Sequence, residues 1–156
     1  MKISFIGGGV MGEAILDAIL SAGIINSVDV QISEPFEEKR TYLSDEYGVK
    51  CVNSNLTVIE NANFIVLAIK PQTLNLVMKE IEGKIESNQT VISIIAGVTL
   101  DTLNNGLKHE SVIRVMPNTP AQIRQGISVW TATKAVSKED LDAGKAILTT
   151  LGDEIY

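Results

Sequence analysis

Short apolar runs alternate with stretches in which apolar residues recur at helical spacing, and this rhythm continues along the whole chain. Strand-like runs cover Lys2 to Ile6, Asp29 to Ser33, Phe64 to Ile69, Thr90 to Ile95 and Val112 to Met116. Phe64 to Ile69 is uninterrupted, as a parallel strand buried on both faces requires. Cys51-Val52 and Ile127 to Thr131 predict two further strands, the first of them short. Between the runs, Met11, Ala14, Ile15, Ala18, Ile19 and Ala22 share one helical face that ends near Gly23. Helices are also expected over Phe36 to Glu46, Leu56 to Glu60 and Gln72 to Ile81, the last with Pro71 in its first turn. Thr99 and Asp101 open a helix to Leu107, and Ser137 followed by Asp140 opens another to Leu151. Gly152 to Tyr156 reads as a helix stop and the start of one more strand. Strands alternating with helices imply right-handed βαβ units, hence an α/β, doubly wound, mostly parallel sheet with helices on both faces.

The first strand breaks into Gly7-Gly8-Gly9-Val10-Met11-Gly12 and restarts as a helix, the setting a Gly-x-Gly-x-x-Gly dinucleotide fingerprint needs. Gly7 lets the chain turn off the strand, Gly9 lets backbone approach a pyrophosphate, and Gly12 lets helix and strand pack closely. The pyrophosphate would sit at the helix N-terminus, where free N–H groups and the dipole favour an anion. A Rossmann-like fold is therefore expected over residues 1–156 as a single dinucleotide-binding domain.

Composition narrows the partners. The 156 residues are 45% apolar, enough for one sizeable core. A net charge of −6 argues against a nucleic-acid surface, which needs clustered Lys and Arg. No apolar run reaches the roughly 18 residues of a membrane span, and the early first strand leaves no room for a leader, so a cytoplasmic location is expected. One cysteine, Cys51, and one histidine, His109, make neither a disulfide nor a metal cluster. Cys51 reads as a packed thiol, Trp130 as core, His109 as surface, and the Glu37-Glu38-Lys39-Arg40 run as a solvated helix face.

Three segments lie at the ends of consecutive expected strands: Ala68-Ile69-Lys70-Pro71, Ala96-Gly97-Val98-Thr99 and Met116-Pro117-Asn118-Thr119-Pro120. With the glycine loop they resemble pyrroline-5-carboxylate reductases over essentially the whole chain, the Met-Pro-Asn-Thr-Pro run being the most specific element. The resemblance implies NAD(P)H-dependent reduction of a small imine carboxylate, 1-pyrroline-5-carboxylate, to proline. It also implies a following helical domain, absent from these residues, that dimerises and completes the substrate pocket. Whether the chain is a piece of a longer protein or naturally short stays open at this stage.

The implied cofactor residues are Gly7, Gly8, Gly9, Val10, Met11, Gly12, Ser33, Glu34, Asn55, Ala68, Ile69, Lys70, Pro71, Ala96, Gly97 and Asn118. Lys70 follows an apolar strand and should emerge near ribose or phosphate. Asn55 matches a family position on the adenine-side ribose, or caps a helix. Asn118 sits in a proline-stiffened loop that the family places near nicotinamide and substrate. Glu34 stands 22 positions after Gly12, where a carboxylate accepts from both ribose hydroxyls and suits NAD over NADP. The resemblance favours NADP, with Ser33 as the nearest family equivalent and Lys39 or Arg40 able to reach a 2′-phosphate. No residue stands out as a catalytic acid. Two other readings remain: a hydroxyacid dehydrogenase or deazaflavin-dependent NADP reductase on the same cofactor domain, and a non-catalytic dinucleotide-binding module.

Overall fold

The computed structural model describes all 156 residues. The chain runs β1 (Ile3–Ile6), α1 (Val10–Ser21), β2 (Val30–Ser33), α2 (Glu37–Tyr47), β3 (Lys50–Val52), α3 (Asn55–Ile59) and β4 (Phe64–Leu67). It continues as α4 (Leu74–Ile81), β5 (Thr90–Ser93), α5 (Leu100–Leu107), β6 (Val112–Pro117), β7 (Gly126–Ala132), α6 (Lys138–Thr149) and β8 (Gly152–Ile155). All eight strands form one sheet in the order β3-β2-β1-β4-β5-β6-β7-β8. The first six are parallel, β7 runs antiparallel to β6, and β8 is parallel to β7. Strand order reverses at β1, between β2 and β4, which opens a crevice at the carboxyl ends of those three strands.

Alternation along each strand divides the core into two layers. Ile3 and Phe5 of β1, with Phe64 and Val66 of β4, pack with Ile15, Leu16 and Ile19 of α1, Leu43 of α2, and Ile147 and Leu148 of α6. Ile65 and Leu67 face the other way, with Val58 of α3, Val77 and Ile81 of α4, and Leu103 and Leu107 of α5. Both faces of the sheet are thus covered, and no helix is long and apolar enough to cross a membrane.

Local chemistry sets the ends of the elements. Ser54, Thr99 and Ser137 cap α3, α5 and α6 by accepting from the N–H groups of Thr57, Thr102 and Asp140. Pro71 opens a short 3-10 turn before α4, which starts at Leu74. Gly7 has φ of +98°, and a Cβ there would lie 2.6 Å from the Ala68 carbonyl oxygen, so only glycine fits the turn. A Cβ on Gly12 would lie 2.8 Å from the Gly7 oxygen and 3.0 Å from Ala68 Cβ, which shows how closely α1 lies on β1 and β4. Gly12→Ala is expected to lower stability by about 1–3 kcal/mol through overpacking, read as a lower denaturation midpoint at an unchanged m-value.

Two expectations need correction. His109 is buried, only 7% exposed, because its Nε2 meets the Gln89 carbonyl oxygen at 2.8 Å beneath the start of β5. The acidic-basic run on α2 is not a uniformly solvated face. Glu37 and Glu38 are exposed, but Lys39 and Arg40 are half-buried and each is committed to partners. Trp130 does fill core, with its indole N–H donated to Glu154 at 2.5 Å, and Cys51 packs half-buried against the core. Burial pushes the Cys51 thiol up, so it is no ready thiolate.

Candidate dinucleotide site

Three strand ends build a cleft of about 670 Å³ at the point where strand order reverses. Gly7, Gly8, Gly9 and Val10 follow β1; Glu34, Pro35 and Phe36 follow β2; Ala68, Ile69 and Lys70 follow β4. Glu38 and Lys39 on α2 and Thr73 before α4 complete the lining. That volume lies within the range of small-molecule sites.

Gly9 is the informative residue in this wall. Its φ of −68° is ordinary, and a Cβ built there would meet no atom of any residue beyond its chain neighbours within 4 Å. Neither conformation nor packing demands glycine, so the open space beside it is room for something else. Gly9 is also the N-cap of α1, and no side chain caps that helix end. Its first-turn N–H groups therefore face the cleft without a side-chain acceptor, the arrangement that binds phosphate. The residues present fit a dinucleotide pyrophosphate.

Glu34 forms the opposite wall and is only 6% exposed. Its Oε2 accepts from the Gly8 N–H at 2.9 Å and its Oε1 from the Phe36 N–H at 3.1 Å. A carboxylate has about four acceptor positions, so two remain for hydroxyl donors. The same side chain thus ties the glycine loop to the end of β2. Ser33 is buried, and its carbonyl takes the Gly7 N–H at 2.8 Å. Arg40 Nη1 donates to the carbonyl oxygens of Glu34 and Pro35, both at 2.8 Å, and so braces the turn. Lys39 Nζ lies 2.5 Å from Oε2 of Glu13 on α1.

The other expected residues separate into two groups. Ala68, Ile69 and Lys70 line the cleft, and Lys70 is exposed at its mouth beside Pro71. Met11 and Gly12 lie in the first turn of α1 behind the loop. Asn55, Ala96, Gly97 and Asn118 are not in the cleft wall. Asn55 is not the helix cap, which is Ser54; its Nδ2 donates to Glu80 at 2.8 Å. Ala96 and Gly97 are exposed in the β5–α5 loop, which Arg114 of β6 ties down by donating to the Val98 carbonyl oxygen. Asn118 Oδ1 accepts from the Ile127 N–H at 2.9 Å and anchors the proline-rich turn to β7. Sequence reasoning missed Pro35, Phe36, Glu38 and Thr73 as wall residues, and named Lys39 only as a cation able to reach a 2′-phosphate. Of these four, Phe36 carried a signal, as a large apolar residue among charged neighbours; it is 72% exposed just after β2.

The chain is 34% identical over 155 residues to the pyrroline-5-carboxylate reductase of Synechocystis sp., covering 99% of this chain and 58% of that protein. Among solved structures, a pyrroline-5-carboxylate reductase of Coxiella burnetii superposes with a TM-score of 0.94 at 29% identity, over 99% of this chain and 57% of that one. The Plasmodium falciparum pyrroline carboxylate reductase with NADP bound gives 0.86 at 26% identity, over 100% and 58%. The chain therefore spans somewhat over half the length of these relatives. Residues 2–97, which carry the glycine loop, Glu34 and the β4 edge, match a family model, and by that match the chain belongs to the family described as NADP oxidoreductase coenzyme F420-dependent.

Proposed function

We propose that these residues are the nicotinamide-dinucleotide-binding part of a reductase that converts 1-pyrroline-5-carboxylate to proline. One observation carries the cofactor reading: Gly9 opens onto space that nothing in the protein fills, at an uncapped helix end beside a buried carboxylate. The choice of substrate rests on the similarity to pyrroline-5-carboxylate reductases. It extends over 155 residues, through the Met116–Pro120 run. The match to the family of F420-dependent NADP oxidoreductases stops at residue 97, before that run. A deazaflavin-linked reading is therefore the weaker of the two.

A reduced nicotinamide would supply the hydride. The chain's own residues bind and orient. The N–H groups at Gly9 and Val10 hold the pyrophosphate, Glu34 accepts from the adenosine ribose hydroxyls, and Phe36 covers that end. The exposed Lys70 offers a positive charge at the mouth of the cleft. Asn118 holds the neighbouring loop in one conformation, and in this reading Asn55, Ala96 and Gly97 border the extended cofactor beyond the cleft wall.

Glu34 also leans the site toward NADH. Two unit charges about 4 Å apart at an effective dielectric near 20 repel by about 4 kcal/mol before salt screening, and a 2′-phosphate would face that carboxylate. Calorimetric titration is expected to find one dinucleotide per chain, with NADH bound at least as tightly as NADPH. Glu34→Ser is expected to shift the NADH:NADPH affinity ratio toward NADPH by about tenfold or more. The ratio is the right readout because loosening of the glycine loop weakens both dinucleotides alike. An unchanged ratio would remove Glu34 from the ribose end, and no binding of either dinucleotide would overturn the proposal.

A further inference from the structure

The NADH preference proposed above places Glu34 at the ribose end, but two cations stand close by on α2 and could offset its charge. Arg40 is turned onto the Glu34 and Pro35 carbonyl oxygens. Lys39 is the one of the two that lines the cleft. Its ammonium does not serve the cleft: Nζ lies 2.5 Å from Glu13 Oε2 and 4.6 Å from the centroid of the Tyr42 ring. Glu13 is in turn fixed from its other oxygen, which accepts from Tyr42 Oη at 2.8 Å and Tyr47 Oη at 3.1 Å. Side chains on both sides of the pair are largely covered, 31% exposed for Lys39 and 20% for Glu13.

We propose that Glu13, which lies outside the cleft wall, is a positioning residue for dinucleotide selectivity: it holds Lys39 against α1 and so denies a 2′-phosphate its nearest counter-charge. The site then presents Glu34 and Glu38 without a free cation between them. An ammonium already sharing a carboxylate and an aromatic face gains little by leaving them for a phosphate. Burial pushes the Glu13 carboxyl up, but the Lys39 ammonium and the two tyrosine hydroxyls together outweigh it and hold the group below the ordinary carboxylate range. Glu13 is therefore a carboxylate at neutral pH. This inference rests on the NADH reading and adds a second determinant to it.

The test is a double-mutant cycle read by calorimetric titration of NADH and NADPH. Glu13→Gln keeps an acceptor for the tyrosines and removes the charge. It is expected to raise NADPH affinity about three- to tenfold while leaving NADH within about twofold. The gain should vanish in Glu13→Gln/Lys39→Met. A purely structural role for Glu13 would move both dinucleotides equally. A gain that survives the loss of Lys39 would reduce the effect to general charge; either result overturns the proposal. Lys39→Met in the wild-type background gives an independent reading if Glu13→Gln does not fold. A committed ammonium predicts a change in NADPH affinity below about twofold, and a fall of about fivefold or more would show Lys39 already on the phosphate. Glu34→Ser separates the two layers: if it shifts the ratio and Glu13→Gln does not, only the present inference fails.

Discussion

Gly9→Val is expected to fold like the wild type and to lose dinucleotide binding by about 100-fold or more, which corresponds to roughly 2.8 kcal/mol. The structure makes this glycine separable from its neighbours. Gly7 needs its positive φ, and Gly12 has backbone and Ala68 against it, so substitutions there disturb the fold before they report on binding. Gly9 has an extended backbone, φ −68° and ψ 179°, that valine adopts readily, and apart from its chain neighbours no residue has an atom within 4 Å of the position its Cβ would take. The branched side chain enters only the space where a pyrophosphate would approach the N-terminus of α1. Calorimetry with NADH, beside a circular-dichroism melt matching wild type, checks both halves. Retained affinity in a folded variant would remove the glycine loop from the binding site.

Much of this was legible because the relevant signals are local. The turn at Gly7, the buried run at Phe64 and the caps at Thr99 and Ser137 each follow from a few adjacent residues, and the mostly parallel pairing of the sheet, though not its strand order, follows from alternating strands and helices. The Gly7–Gly12 loop, Glu34 and Lys70 could be placed at one edge because strand ends define it. What escaped depends on pairing across distance. Glu13 and Lys39 are 26 positions apart and meet only because α1 and α2 lie side by side on one face of the sheet. Of the two roles open to Asn55, the cap belongs instead to Ser54, its neighbour in sequence, and only the Ser54 Oγ to Thr57 N–H bond distinguishes them. His109 looked solvated in its Lys-His-Glu setting. It is buried because the Gln89 backbone, 20 positions away, supplies its partner.

These 156 residues alone are expected to bind NADH yet show no measurable reduction of pyrroline-5-carboxylate. The cleft wall contains Gly, Val, Ala, Ile, Pro and Phe with two carboxylates, two lysines and Thr73, and no histidine or tyrosine. Glu34 is engaged with the Gly8 and Phe36 N–H groups and Lys39 with Glu13, which leaves Lys70 and Glu38 as exposed titratable groups of the wall. The other proton carriers lie elsewhere. His109 is at the amino end of β6, on the opposite edge of the sheet from the cleft, and the hydroxyls of Tyr42 and Tyr47 are tied to Glu13. Burial and the Glu13 carboxylate push Tyr47 far up, so it is no ready acid. Reduction of an imine needs a proton for nitrogen and a fixed pose, with reacting atoms about 3 to 3.5 Å apart; about 7 to 11 kcal/mol of barrier rests on such positioning. In the proposed division of labour, that pose is completed by a further part of the polypeptide, consistent with relatives of which this chain covers 57 to 58%. Loss of nicotinamide absorbance at saturating NADH, with and without pyrroline-5-carboxylate, makes the measurement. Robust turnover by the 156 residues would refute the division and would leave Lys70 and the Asn118 loop as the residues that suffice.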